Sequence, residues 1–197
     1  MSSAARRERL RDIVVHTLAR LRVTLGFVFG AIVLALARPT SRSLAIGLSV
    51  ASAGEAIRIW ASGHLNKARE VTTSGPYRWV GHPLYVGSSV MGAGLAIACA
   101  TLPDVLLIAM YLVVTLTAAI KSEEAFLRRT FGEQYDLYRA GQLAKRAASA
   151  RKPAKRFSLA QVITNREHRA LVGFLIAVLL LILKATYNDV FWRAAGR

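Results

Sequence analysis

LYVGSSVMGAGLAIACATLPDVLLIAMYLVVTLTAAI, residues 84–120, carries a single charged side chain, Asp104, between two long apolar runs. Each run approaches the ~20 apolar residues that a helix needs to cross a bilayer. The break at Leu102-Pro103-Asp104 suits the start of a helix, because proline is tolerated in the first turn and a carboxylate is stabilised at the positive end of the helix dipole. The stretch therefore predicts a hairpin of two transmembrane helices.

Three more apolar stretches lie outside this hairpin. The 197 residues are 54% hydrophobic, yet they include 27 Lys and Arg against 11 Asp and Glu, and the charge falls mainly between the apolar stretches. This segregation excludes a soluble globular domain and predicts an all-α, polytopic membrane protein with about five transmembrane helices plus a cytoplasmic interfacial helix at 122–140. The five predicted spans are roughly 23–37, 44–61, 84–102, 105–120 and 170–187.

Lys and Arg are concentrated on one side of the predicted membrane. The positive-inside rule places the N-terminus and both long loops in the cytoplasm and the C-terminus outside, in a cytoplasmic membrane of bacterial type. The basic stretch at 145–156 predicts anionic membrane lipids, rather than nucleic acid, as its partner. Cys99 is the only cysteine, so an intrachain disulfide and a cysteine metal site are excluded, and no metal is predicted.

These patterns divide the chain into four predicted parts. Residues 1–62 form an N-terminal arm with two spans, and 63–142 form a core with the hairpin and the interfacial helix. A basic cytoplasmic linker follows at 143–169, and 170–197 hold the last span.

The loop before the hairpin is unusually rich in chemistry. It contains Gly75-Pro76-Tyr77 and then His82-Pro83-Leu84-Tyr85-Val86-Gly87. Interface anchoring accounts for aromatic residues here. It does not account for His82, an ionisable ring in the first turn of a membrane helix, so we expect His82 to serve a site.

Two adjacent carboxylates, Glu123 and Glu124, follow the fourth span. At the C-terminus of a helix they would repel each other and oppose the dipole, so their presence predicts a cationic partner. Within the chain, the candidates are Lys121, Arg128 and His82. Because the hairpin brings its two ends together, His82 and Glu123 are expected to lie close in space.

In this arrangement the sequence resembles the isoprenylcysteine carboxyl methyltransferase family. That family carries G-x-Y, then R-H-P-x-Y-x-G and, across one helical hairpin, paired glutamates and F-G-x-x-Y. The corresponding residues here are Gly75–Tyr77, 82–87, Glu123-Glu124 and 131–135, with Phe131, Gly132 and Tyr135 in the last motif. The resemblance covers about residues 63–140.

The resemblance implies a membrane-embedded methyltransferase that uses S-adenosylmethionine at the cytoplasmic face. Methyl transfer from a sulfonium needs alignment more than strong acid or base catalysis, so the site residues are expected to clamp and orient. Glu124 is the expected catalytic residue, and Arg78 and Lys121 are the expected substrate-binding residues. The implied cofactor contacts are Arg69, Glu70, Val71, Thr72, Tyr77, His82, Pro83, Leu84, Tyr85 and Glu123.

Two departures concern the acceptor. The arginine of R-H-P is Gly81 here, and a second family arginine, which is linked to the substrate carboxylate, falls at Ala119. A prenylcysteine is therefore expected to be a poor acceptor. A lipophilic or small acceptor with a carboxylate, thiol or amine stays open.

Two other functions remain compatible with the sequence. An NADPH-dependent membrane reductase of related helical architecture would use a comparable pocket, with Arg69, Arg78 and Tyr85 available to it. In a non-catalytic membrane module, the basic linker would recruit lipid or a partner and the H-P-x-Y loop would be a remnant. Glu55 and Arg58 would then form a purely structural ion pair within the second span.

Overall fold

The computed structural model describes residues 26–67, 70–142 and 156–195, with side chains described as far as residue 188. Within these residues the chain is all helical and contains no strand, as the sequence predicts. The helices are α1 (Gly26–Leu36), α2 (Ser41–Ser62), a 3-10 helix (Gly75–Arg78), α3 (Pro83–Cys99), α4 (Leu102–Phe131), α5 (Glu133–Arg139), α6 (Leu159–Thr164) and α7 (Glu167–Ala195).

Each of the five predicted spans coincides with one apolar helix. Among the described residues, three helical segments have the length and composition to cross a membrane: Ser41–Ser62, Leu102–Phe131 and Glu167–Asn188. The other two apolar helices, Gly26–Leu36 and Pro83–Cys99, are shorter. Large apolar side chains face outward along them, for example Phe27, which is 76% exposed. Such a surface suits lipid, so the chain is an integral membrane protein.

Helices α2 and α3 pack closely through glycines. A Cβ on Gly47 would lie 2.5 Å from the Ala98 backbone nitrogen, and one on Gly87 would lie 2.8 Å from the Gly54 carbonyl oxygen. Only residues without side chains allow backbones to approach this closely in a membrane. The α2–α3 pair is therefore the most tightly joined part of the bundle.

The turn between α3 and α4 has the predicted chemistry. Ala100 ends α3 in the left-handed conformation, with φ of 59°, and Thr101 caps α4. The Thr101 hydroxyl donates to the buried Asp104 carboxylate at 2.7 Å and accepts from the Asp104 amide. Pro103 occupies the first turn, as expected.

Helix α4 continues well beyond its apolar part. It runs unbroken to Phe131 and ends at Gly132, so the predicted interfacial helix begins only at Glu133. Glu123 and Glu124 consequently lie about two turns before the end of α4, and the predicted conflict with the helix dipole is wrong. The dipole acts mainly within the last turn.

A buried charge cluster joins α2, α3 and α7. Arg58 pairs with Glu55 at 3.2 Å and with Glu167, and it donates a hydrogen bond to the Ser88 hydroxyl. Both glutamates are buried. The predicted Glu55–Arg58 pair is thus present, and Glu167 extends it to the last helix.

Candidate functional site

The loop between α2 and α3 turns Tyr77 inward. Gly75 has φ of 57°, a conformation that favours glycine, and a Cβ there would lie 2.6 Å from the His64 ring. The 3-10 helix that begins at Gly75 contains Pro76 and buries Tyr77. The G-x-Y motif therefore has a structural basis, because only glycine fits beneath His64.

Helix α6 supports the same loop through side-chain hydrogen bonds. From the sequence, this helix was predicted to be part of the basic linker at 143–169. Gln161 donates through its side-chain amide to the Leu65 carbonyl at 2.8 Å. Asn165 donates to the carbonyls of Ser62 and Leu65, both at 2.8 Å. No periodicity in so short a helix reveals such contacts, so sequence reasoning missed this support. The four-part division of the chain stays a prediction.

His82 lies between the two glutamates at the start of α3. Its Nδ1 is 3.8 Å from a Glu123 carboxylate oxygen, and its Nε2 is 3.3 Å from one of Glu124. The α3–α4 hairpin brings these residues together, in agreement with the expected contact. The contact with the Glu123 carboxylate, and then the hydrogen bond with Glu124, raises the pKa of His82 above its usual value, although partial burial opposes the shift.

Glu123 faces one side of this histidine. Its carboxylate interacts with the Tyr85 hydroxyl and with the charge of Lys67. The Tyr85 ring lies 5.7 Å from the His82 ring, measured between centroids. Pro83 is buried in the first turn of α3. This side thus combines a carboxylate, an imidazole and a phenol.

Glu124 faces the other side, where a pocket of about 400 Å³ opens. Its carboxylate pairs with the Arg139 guanidinium of α5 at 3.1 Å. The Tyr138 hydroxyl donates to the Tyr77 carbonyl at 3.1 Å, which fastens α5 to the loop. Burial raises the pKa of Tyr77, and it raises the pKa of Tyr138 to about 12, so both phenols stay protonated.

The lining of this pocket, which we call the Glu124 pocket, comes from the loop, α4 and α5. It consists of Tyr77, Arg78, Trp79, Val80, Gly81, His82, Glu124, Tyr135, Tyr138, Arg139 and Gly141. Four residues predicted for the site are therefore brought together: Tyr77, Arg78, His82 and Glu124.

The other predicted site residues lie outside that lining. Glu123 and Tyr85 lie beside His82 without being part of the lining. Pro83 and Leu84 follow His82 in the first turn of α3, where the Leu84 carbonyl accepts from Ser88 at 2.9 Å. Lys121 is exposed on α4.

The predicted cofactor contacts at residues 70–72, which precede the G-x-Y motif, lie in the loop between α2 and α3. The Asn66 side-chain amide donates to Glu70 at 2.8 Å, and its backbone amide donates to the hydroxyl of the buried Thr72. Val71 lies between them, half-buried. Arg69 lies outside the described residues.

Arg139 was missed as a site residue, together with Tyr135 and Tyr138. The sequence offered two signals, the F-G-x-x-Y motif that contains Tyr135 and a tyrosine pair three residues apart on a short helix, which places both rings on one face. That face is the one turned towards the pocket.

A second, apolar cavity of about 680 Å³ lies among α1, α3, α4 and α7. Phe29, Met91, Leu112 and Leu180 are among its lining residues, and Ser88 lies at the end nearer to His82. Ser88 follows His82 by six positions along α3, a rise of about 9 Å. The cavity thus begins close to the polar site.

The fold and the site define a polytopic helical membrane protein with a charged site at one end of a glycine-packed bundle. The phospholipid methyltransferase family matches residues 27–134, which is more than half of the chain and contains His82, Glu123 and Glu124. The chain belongs to this family.

Two curated proteins are similar to part of the chain. The nickel-cobalt-cadmium resistance protein NccN of Alcaligenes xylosoxydans xylosoxydans is 31% identical over 96 residues, 48% of this chain and 44% of that protein. The protein-S-isoprenylcysteine O-methyltransferase of Schizosaccharomyces pombe is 30% identical over 91 residues, 46% of this chain and 39% of that protein. The chain therefore spans less than half the length of either relative. No solved structure matches it.

Proposed function

We propose that the chain transfers a methyl group from S-adenosylmethionine to a lipophilic or small acceptor with a carboxylate, thiol or amine. The observation that carries this proposal is the position of His82 between Glu123 and Glu124, at 3.8 and 3.3 Å, beside the inward-turned Tyr77. Family membership and the methyltransferase among the relatives support it.

The residues on the Glu123 side of His82 fit the proposed cofactor, which supplies an electrophilic methyl group on a sulfonium. A carboxylate such as that of Glu123 binds an ammonium group by charge-assisted hydrogen bonds. The face of Tyr85 suits a sulfonium, because aromatic rings attract cations. Tyr77, which lines the Glu124 pocket, offers a second aromatic face on the other side of His82. Glu70, Val71 and Thr72 belong to the same proposed contact set and lie in the loop that α6 supports.

His82 and Glu124 then act mainly by position. Pairing on both ring edges fixes the His82 imidazole, and fixed groups contribute to the rate by holding reactants in line. A carboxylate or thiolate acceptor needs no proton transfer. An amine acceptor must lose a proton, and Glu124 is the carboxylate available for it in the Glu124 pocket.

The apolar cavity supports a lipophilic acceptor. Its volume of about 680 Å³ falls within the usual range for small-molecule sites, and it begins about 9 Å from the level of His82. An apolar tail lodged there would leave its polar end near the site. The acceptor is accordingly drawn from the membrane rather than from water.

We also propose that this site faces the cytoplasm, where the basic loops meet anionic lipid. A reporter fused after Arg156 is expected to read cytoplasmic, and one fused after Arg197 is expected to read external. A cytoplasmic reading after Arg197 would contradict the orientation.

The cofactor is tested by calorimetric titration of the purified protein with S-adenosylmethionine and, separately, with NADPH. We expect binding of S-adenosylmethionine only. Glu123→Gln is expected to weaken it by about 1.5 to 3 kcal/mol, the usual loss for a hydrogen bond to a charged group. Glu133→Gln is the matched control, because Glu133 is exposed at the start of α5.

Equal affinity of the wild type and Glu123→Gln would contradict the cofactor assignment. Binding of NADPH alone would favour the reductase, which neither relative's name supports.

A further inference from the structure

Glu123 and Glu124 are adjacent in sequence but serve opposite sides of His82. Successive residues on a helix point about 100° apart. Glu123 interacts with Tyr85 and Lys67, whereas Glu124 lines the Glu124 pocket and pairs with Arg139. The site therefore has two compartments, and the proposed cofactor contacts account mainly for the first.

The Glu124 pocket has an excess of positive charge. Two guanidinium groups, those of Arg78 and Arg139, line it together with a single carboxylate. His82 adds to this excess when protonated, and the two neighbouring carboxylates that raise its pKa favour that form. An arginine carries five donors in a planar fork, and the bond to Glu124 engages the Nη1 end of Arg139. Such a fork matches the oxygens of a carboxylate or a phosphate.

The Glu124 pocket also has free space beside Gly81, and its Arg139 side chain is accessible. A Cβ added at Gly81 would meet nothing within 4 Å. The Arg139 side chain is half exposed, at 52%, so it can exchange partners without first leaving a buried position. Tyr138 holds α5 against the loop by its 3.1 Å hydrogen bond, which keeps Arg139 at the pocket.

We propose that the Glu124 pocket binds the anionic oxygens of the acceptor, a carboxylate or a phosphate, through Arg139 assisted by Arg78. On binding, the Arg139 fork turns from Glu124 to the acceptor, and Glu124 keeps its contact with His82. The acceptor is thus a lipophilic molecule with an oxyanion, and its positive partner comes from α5 rather than from position 81 or 119. The assignment rests on the proposed methyl transfer.

Binding of simple amphiphiles in an uncharged detergent tests this proposal directly. The probes are dodecanoate, dodecyl phosphate and, as the neutral reference, dodecanol, each titrated calorimetrically into the wild type. We expect at least one of the two anions to bind more tightly than dodecanol. Tighter binding of dodecanoate would indicate a carboxylate acceptor, and tighter binding of dodecyl phosphate would indicate a phosphate acceptor. Arg139→Gln is expected to weaken the anion by about tenfold and to leave dodecanol unchanged.

Arg128→Gln is the matched control. Arg128 pairs with Asp136 at 3.3 Å, both side chains are exposed, and Arg128 is not part of the pocket lining. Gly81→Arg provides a gain-of-binding test that does not depend on the folding of Arg139→Gln. We expect it to tighten binding of the anion.

Two results would overturn the proposal: anions that bind no better than dodecanol, or equal losses in Arg139→Gln and Arg128→Gln. S-adenosylmethionine is titrated into the same preparations. If it binds and the anion effects are missing, the pocket assignment alone fails. If the anion effects are present and S-adenosylmethionine does not bind, the proposed function fails and the anion site stands.

Discussion

Two clusters of opposite charges in the described part of the chain differ in access to solvent. In the buried charge cluster, Arg58 of α2 pairs with Glu55 of the same helix and with Glu167 of α7, and these side chains are at most 16% exposed. In the cluster around His82, the carboxylates are 28% and 36% exposed and a pocket opens beside them. The comparison separates charges that hold helices together from charges that are free to meet a ligand.

The largest effect is expected from Arg58→Met. Removal of one partner from a buried ion cluster leaves uncompensated charge and typically costs about 3 to 5 kcal/mol. The thermal unfolding midpoint in detergent should therefore fall sharply. Arg128→Met should change it little, because an exposed pair contributes below about 1 kcal/mol. Equal midpoints for the two variants would remove the distinction between the clusters.

A smaller effect is expected from Gly87→Ala. The added Cβ would lie 2.7 Å from the Cγ of Arg58 and 2.8 Å from the Gly54 carbonyl oxygen. Overpacking of this kind typically costs about 1 to 3 kcal/mol, and it would also disturb the buried charge cluster. Gly81→Ala, where the Cβ has free space, is the control and should unfold like the wild type.

The smallest effect is expected from titration of His82. The pKa of His82 is raised in the folded chain. The pairing of His82 with the two glutamates therefore stabilises the fold fully below the usual pKa of about 6.5, and this stabilisation is lost as the pH rises through the raised pKa. The unfolding midpoint should fall with rising pH over that window. His82→Asn should remove this part of the pH dependence. If the unfolding midpoints of the wild type and His82→Asn depend on pH in the same way, the pairing of His82 contributes nothing to stability.

The sequence predicted those features of the fold and the site that depend on local chemistry. The Pro103–Asp104 turn and the hairpin it implies were enough to bring His82 to Glu123, because helix length fixes where the ends of a hairpin meet. The five apolar stretches were found in the same way. These features follow from hydrophobic runs and turn residues that lie close together in sequence.

Long-range contacts were beyond the same reasoning. Glu167 reaches Arg58 from the last helix, and Gln161 supports the α2–α3 loop, although nothing periodic links these positions. Arg139 was likewise invisible, since the bend at Gly132 that returns α5 to the loop has no apolar pattern. The faces that helices present to one another are decided by packing, which one sequence does not display.

The proposed methyl transfer is tested most directly with a labelled methyl group on S-adenosylmethionine. The purified protein is assayed in membrane lipid supplemented with lipophilic carboxylates. We predict label in the lipid-soluble fraction, with strong loss in Glu123→Gln and His82→Asn and full activity in Glu133→Gln. Transfer that is equal in all four proteins, or that is absent although the wild type binds S-adenosylmethionine, would contradict the assignment of this site to methyl transfer.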